Sequence, residues 1–159
     1  MKKTVLALAA VLAVAAVPAF AQNPRGEAKA MVAGKAVSIE YGRPSLKGRD
    51  MLGQAAVGTP WRMGADAATK LKTEADLLFG SLAVPKGEYV LTATKVAADS
   101  WHLNVKSADQ KVVAEIPLTA EAVPESVEMF TIELAGAGDK GELKMAWGTT
   151  GLKAAFTGK

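Results

Sequence analysis

The chain has 159 residues, with 19 basic and 16 acidic side chains, one histidine and no cysteine. The missing cysteine excludes thiol catalysis, disulfide staples and Cys-based zinc sites, and a single histidine would leave zinc dependent on carboxylates. Lys2 and Lys3 lie in an N-terminal leader-like segment, and removing residues 1–21 leaves 17 basic against 16 acidic residues, about +1, so neither net charge nor a basic run argues for nucleic acid.

In chain order, the first segment reads as an address. Lys2 and Lys3 form a positive start, Val5 to Val17 is rich in Ala, Val and Leu, and Ala19-Phe20-Ala21 is a small-x-small cleavage site. The apolar run is shorter than the roughly 20 residues of a membrane span and ends at Pro18. With no Cys after it, the usual lipoprotein anchor is excluded. The expected protein is exported and cut between Ala21 and Gln22, periplasmic or extracellular, with no transmembrane segment in the mature chain. The 138 residues from Gln22 to Lys159 suit one domain, which at that size buries roughly two-thirds of its unfolded surface.

Residues 22–34 read as a flexible lead-in and 35–159 as a single domain. From Lys35 onward the pattern is mostly period two with glycine punctuation, the signature of strands. Ala36 to Tyr41 alternates with Val37, Ile39 and Tyr41 on one face. Leu71 to Phe79 reads as a strand or strand pair, and Val84-Pro85-Lys86-Gly87 as a turn into Tyr89 to Thr94. Trp101 to Lys106 places Trp101, Leu103 and Val105 inward. Lys111 to Leu118 and Val127 to Leu134 follow, the second changing phase at Met129-Phe130 as at a bulge. The chain closes on an expected hairpin, Gly141 to Trp147 and Leu152 to Phe156 around Gly148-Thr149-Thr150-Gly151. About eight short strands without a convincing helix predict an all-β, antiparallel β-sandwich, its topology left open between jelly-roll-like and Ig-like, with a small β-barrel as the alternative.

The unusual chemistry is concentrated between Tyr41 and Lys70. Glu40-Tyr41-Gly42-Arg43-Pro44-Ser45-Leu46-Lys47-Gly48-Arg49, Trp61-Arg62-Met63-Gly64-Ala65-Asp66-Ala67-Ala68-Thr69 and Val84-Pro85-Lys86-Gly87-Glu88-Tyr89 resemble the exported bacterial family of domain of unknown function 2911. The resemblance covers most of the mature chain and implies an exported, β-rich domain whose activity is not established. Two departures stand out: Gly53 to Pro60 lacks the family's Pro-aromatic-Gly turn, and Asp66 stands where Asn is common.

Read residue by residue, the candidate ligand-binding set is Tyr41, Arg43, Lys47, Arg49, Trp61, Arg62 and Asp66. Pro44 pushes Arg43 toward extended backbone at a strand end, and Arg62 beside Trp61 can stack while presenting its planar donor fork. Two such forks can grip a carboxylate, phosphate or sulfated sugar. The competing reading is structural: Arg62 pairs with Asp66 across the Gly64-Ala65 turn, and Trp61 belongs to the core.

Catalytic readings rest on less. The turn at Gly64 to Thr69 lacks the P-loop spacing. Ser100, Asp99 and His102 are too close along one strand to converge as nucleophile, orienter and base. Asp99, Asp109 and Asp139 read as turn formers without the dense spacing of a calcium loop, and no residues select a metal, a cofactor or a glycosidase acid pair. The leading expectation is therefore a binding or interaction module for a small anionic or sugar-like ligand or another envelope protein. A structural cell-envelope protein without a ligand ranks second, and a carboxylate-dependent hydrolase of envelope or carbohydrate material third.

Overall fold

The computed structural model describes residues 21–159, so the expected leader, apart from Ala21, lies outside the described residues. Every regular element among them is a strand: β1 (Arg25–Val32), β2 (Lys35–Gly42), β3 (Pro60–Trp61), β4 (Thr69–Thr73), β5 (Leu77–Phe79), β6 (Leu82–Val84), β7 (Gly87–Ala97), β8 (Ser100–Lys106), β9 (Val112–Ala137) and β10 (Lys140–Gly158). No described helix is long and apolar enough to cross a membrane.

The strands form one open antiparallel sheet in the order β1-β2-β4-β7-β8-β9-β10-β5-β6, with β3 pairing onto β7 beyond β4. The all-β class predicted from period-two patterning is the class observed. Val37, Ile39 and Tyr41 of β2 and Trp101, Leu103 and Val105 of β8 are buried as the alternation predicts. The sheet folds back so that β1 lies against β9, and both contribute to one core.

Three segments differ from the sequence reading. The stretch 22–34, expected as a mobile lead-in, holds β1, paired with β2 from Arg25↔Gly42 to Val32↔Lys35. Its inward side chains are small, Ala28 and Val32 being buried, so the alternation is hard to see in sequence. Gly26 shows why: a Cβ there would lie 2.7 Å from Arg43 Cδ and 2.8 Å from Tyr41 Cζ, closer than packed carbon atoms approach.

The two strands expected between Lys111 and Leu134 are one strand, β9. It pairs with β8 up to Thr119 and with β10 from there on. Within the second zone Ala122 to Thr131 of β9 faces only Thr150 to Ala146 of β10. This excess of chain forms a wide bulge around Pro124, which cannot donate to a ladder. The expected closing hairpin is likewise one strand, β10. Gly148 takes a left-handed φ of 65° and bends the strand instead of reversing it.

Candidate functional site

Sheet folding leaves one edge of β9 facing the end of β2. There, backbone groups need partners that no full strand supplies. Pro44, Ser45 and Leu46 run alongside for one bridge, Ser45↔Met129. The Phe130 N–H donates to the Pro44 carbonyl at 3.0 Å, and the Leu46 N–H donates to the Glu128 carbonyl at 3.0 Å.

Side chains complete the edge where the backbone does not reach. The Tyr41 hydroxyl accepts the Ile132 N–H at 2.8 Å and donates to the Ile132 carbonyl at 3.3 Å. Arg43 donates from Nε to the Phe130 carbonyl at 3.2 Å and from Nη2 to Thr131 Oγ1 at 2.9 Å. That threonine hydroxyl donates onward to the Met129 carbonyl at 2.9 Å. A phenol and a guanidinium thus stand in for a strand along the outer edge of β9. We call this arrangement the seam.

Behind the seam lies an aromatic cluster. Phe130 is fully buried. Its ring meets Tyr41 edge-on at 5.5 Å and Trp61 edge-on at 4.9 Å. Trp61 also stacks on Trp147 at 5.9 Å and 17°, and meets Trp101 edge-on at 6.2 Å. Offset and edge-to-face contacts are the favoured geometries for such rings. Trp61 is held there because β3 pairs with β7 at Trp61↔Ala93.

The other sequence-predicted residues lie elsewhere. Lys47 and Arg49 are exposed on the loop that follows Leu46. Lys47 takes a left-handed φ of 51° and donates its N–H to Glu128 Oε1 at 3.0 Å. Arg49 Nε reaches back to the Leu46 carbonyl at 3.4 Å. The loop is anchored beneath by Leu52, which is 1% exposed.

Arg62 is exposed and donates from Nη2 to the backbone carbonyl of Asp66 at 2.5 Å, so the expected contact across the turn exists without an ion pair. The Asp66 carboxylate is engaged by the N-terminal segment instead. Its Oδ2 accepts the Asn23 N–H at 2.9 Å and Asn23 Nδ2 at 3.3 Å. Asp66 takes a φ of 63°, a conformation Asp and Asn tolerate better than most residues.

Of the residues that the sequence singles out, Tyr41, Arg43 and Trp61 each meet Phe130, a partner the sequence reading does not include. Glu128, Phe130, Thr131 and Ile132 lie far along the chain, and the only sequence signal of them was the phase change at Met129-Phe130. Asn23 fell in the segment expected to be flexible.

Away from the seam, the hollows are shallow and open. One of about 410 Å³ crosses the outward face of β2, β4 and β7 among Glu40, Lys70, Lys72 and Glu88. Lys72 lies 3.8 Å from Glu88, an exposed pairing of little energetic weight. Among the described residues no group of His, Asp or Glu is arranged to hold a metal ion. Tyr89 borders this hollow; its phenol pKa is raised by burial and then by the Asp76 charge, while its hydroxyl donates to the Pro85 carbonyl at 2.6 Å.

The family model described as a protein of unknown function (DUF2911) matches residues 23–156. No curated protein matches the chain, and no solved structure does.

Proposed function

The chain belongs to the DUF2911 family, and we propose that it is an exported interaction module whose contact surface is the exposed cationic rim of Lys47, Arg49 and Arg62. In this reading Tyr41, Arg43 and Trp61 hold that rim in place, and the ligand is an anionic or sugar-like group of the cell envelope.

One observation carries the reading: the stretch divides by use. The Tyr41 hydroxyl and the Arg43 fork are engaged by β9 backbone and Thr131, whereas Lys47 and Arg49 on the loop after Leu46, and Arg62 on the turn after β3, are exposed. Exposed arginine and lysine on a fixed frame suit reversible, salt-sensitive contact with carboxylate, phosphate or sulfate. The contact is a surface one, so steering by charge contributes more to encounter rate than to affinity.

The test is a triple substitution, Lys47→Ala with Arg49→Ala and Arg62→Ala, compared with the parent on a sulfated-polysaccharide column and on washed envelope fractions. The parent is expected to be retained and to elute with salt, and the variant to pass through with its melting temperature within about 2 °C, as surface changes of under 0.5 kcal/mol produce in a domain this size. A parent protein that ignores both materials sinks the ligand. The seam itself favours a second reading, a ligand-free structural domain of the envelope, and that reading then stands. Cell fractionation tests export: protein found in the cytoplasm with its leader intact removes both readings.

A further inference from the structure

We propose that Asp66 is the receptor for the α-ammonium group created at Gln22 when the leader is removed, so that processing itself completes the fold's N-terminal attachment. The proposal rests on the export reading for its biology and on the Asp66–Asn23 geometry for its chemistry.

The chain is fixed from Asn23 onward. Asn23 gives both its N–H and its side-chain amide to Asp66 Oδ2 at 2.9 and 3.3 Å. The next carbonyl, that of Pro24, accepts the Arg43 N–H at 2.8 Å, and Arg25 begins the paired register of β1. The expected cleavage bond, Ala21-Gln22, therefore lies immediately outside the first anchored residue. One residue of chain separates the Gln22 nitrogen from the Asn23 nitrogen, which holds it within about 6.5 Å of the carboxylate.

In the uncut precursor that nitrogen is a neutral peptide N–H. After cleavage it is a cation with an ordinary pKa of about 7.7–8.0, beside a carboxylate already oriented by two donors. A carboxylate and an ammonium form the stronger, charge-assisted kind of hydrogen bond. The charged groups around it are few. Arg62 reaches the Asp66 carbonyl rather than the carboxylate. The Arg43 side chain is turned to β9. Arg25 borders a separate shallow hollow with Glu27 and Glu40.

The linkage has a definite sign. An ammonium favoured by Asp66 has a folded-state pKa above its unfolded value. Its contribution to stability is complete below about 7.7 and fades as pH rises through the folded value.

The experiment uses the chain beginning at Gln22, released by a protease, with its α-amine ¹³C-dimethylated, alongside the same protein carrying Asp66→Asn. Asn tolerates the backbone conformation and keeps an acceptor for Asn23, so the variant removes charge without removing the turn. The α-amine resonance of the parent is expected to titrate at a pH about 0.2–0.7 higher than that of the variant, the range of an exposed pair. Matching midpoints in the two proteins overturn the clamp and leave export untouched. N-terminal sequencing of protein from the envelope fraction supplies the second arm: a chain starting anywhere but Gln22 overturns the clamp and the assigned cleavage site together.

Discussion

Arg43 and Arg62 come from the same short stretch and carry the same planar fork, yet the sheet treats them differently. Arg43 is half-buried and donates to the Phe130 carbonyl and the Thr131 hydroxyl on a strand far along the chain. Arg62 is exposed and, among the described residues, donates to the Asp66 carbonyl, four residues on. What separates them is the neighbouring backbone. Beside Arg43 runs an unpaired strand edge with orphan N–H and C=O groups, which must be satisfied when buried. Beside Arg62 there is a surface turn that water can solvate. Residue type announces a capacity for hydrogen bonding, and the nearest unsatisfied edge decides whether it holds the fold or faces outward.

The strongest way to break this contrast is Tyr41→Phe. The ring remains to meet Phe130 edge-on, so packing is kept while one oxygen is removed. The Ile132 N–H and carbonyl both lose their partner in a buried setting, and an unsatisfied buried group costs about 1–3 kcal/mol. The expected loss is about 2–4 kcal/mol, read as a lower urea midpoint at unchanged slope. A variant within 0.5 kcal/mol of the parent means the phenol does not hold the β9 edge.

Arg43→Met sharpens the comparison by moving along the same seam to its half-exposed end. The Phe130 carbonyl and Thr131 hydroxyl lose a donor, but these two bonds are only partly buried, whereas those of Tyr41 are buried. The expected cost is about 1 kcal/mol, the net worth of an ordinary hydrogen bond. A loss equal to that of Tyr41→Phe shows that the seam acts as one unit, which a double variant then measures as non-additivity.

How much of this was legible in the sequence follows from the range of each interaction. Alternation is local, so the inward faces of β2 and β8 were read correctly from Val37, Ile39, Tyr41, Trp101, Leu103 and Val105. β1 escapes the sequence reading because its core face, Gly26, Ala28, Ala30 and Val32, is mostly small residues that look like linker composition, Gly26 being the one that makes room for the Tyr41 ring. β9 and β10 each read as two strands, β10 across Gly148 to Gly151, because the chain bends within each of them without ending it. For the site, Tyr41, Arg43 and Trp61 were singled out by type. Their role depends on Phe130 and Ile132, which only the folded-back sheet brings near. Asp66 divides in the same way: its carbonyl takes the contact expected from Arg62, four residues back, while its carboxylate is taken by Asn23, which only the fold brings near.

The smallest expected effect compares the seam with an ordinary surface contact on the same strand. Glu121 of β9 and Lys153 of β10 lie 2.7 Å apart, each side chain a little over a third exposed. The Lys153 side chain, by hydrogen bond and charge, holds the Glu121 carboxyl below its ordinary value, and Glu121 in turn raises Lys153. A lowered carboxylate stabilises above its unfolded value, near 4.5, and that contribution is lost as pH falls through the folded value. Glu121→Gln is therefore expected to lower the melting temperature only slightly at pH 7, and to match the parent once both are held well into acid. The Tyr41→Phe deficit involves a phenol and backbone groups but no carboxylate, so it should persist over the same acid range. If instead the Tyr41→Phe deficit fades in acid alongside that of Glu121→Gln, the β9 edge is held by charge rather than by hydrogen bonds to its backbone, and the distinction between seam and surface collapses.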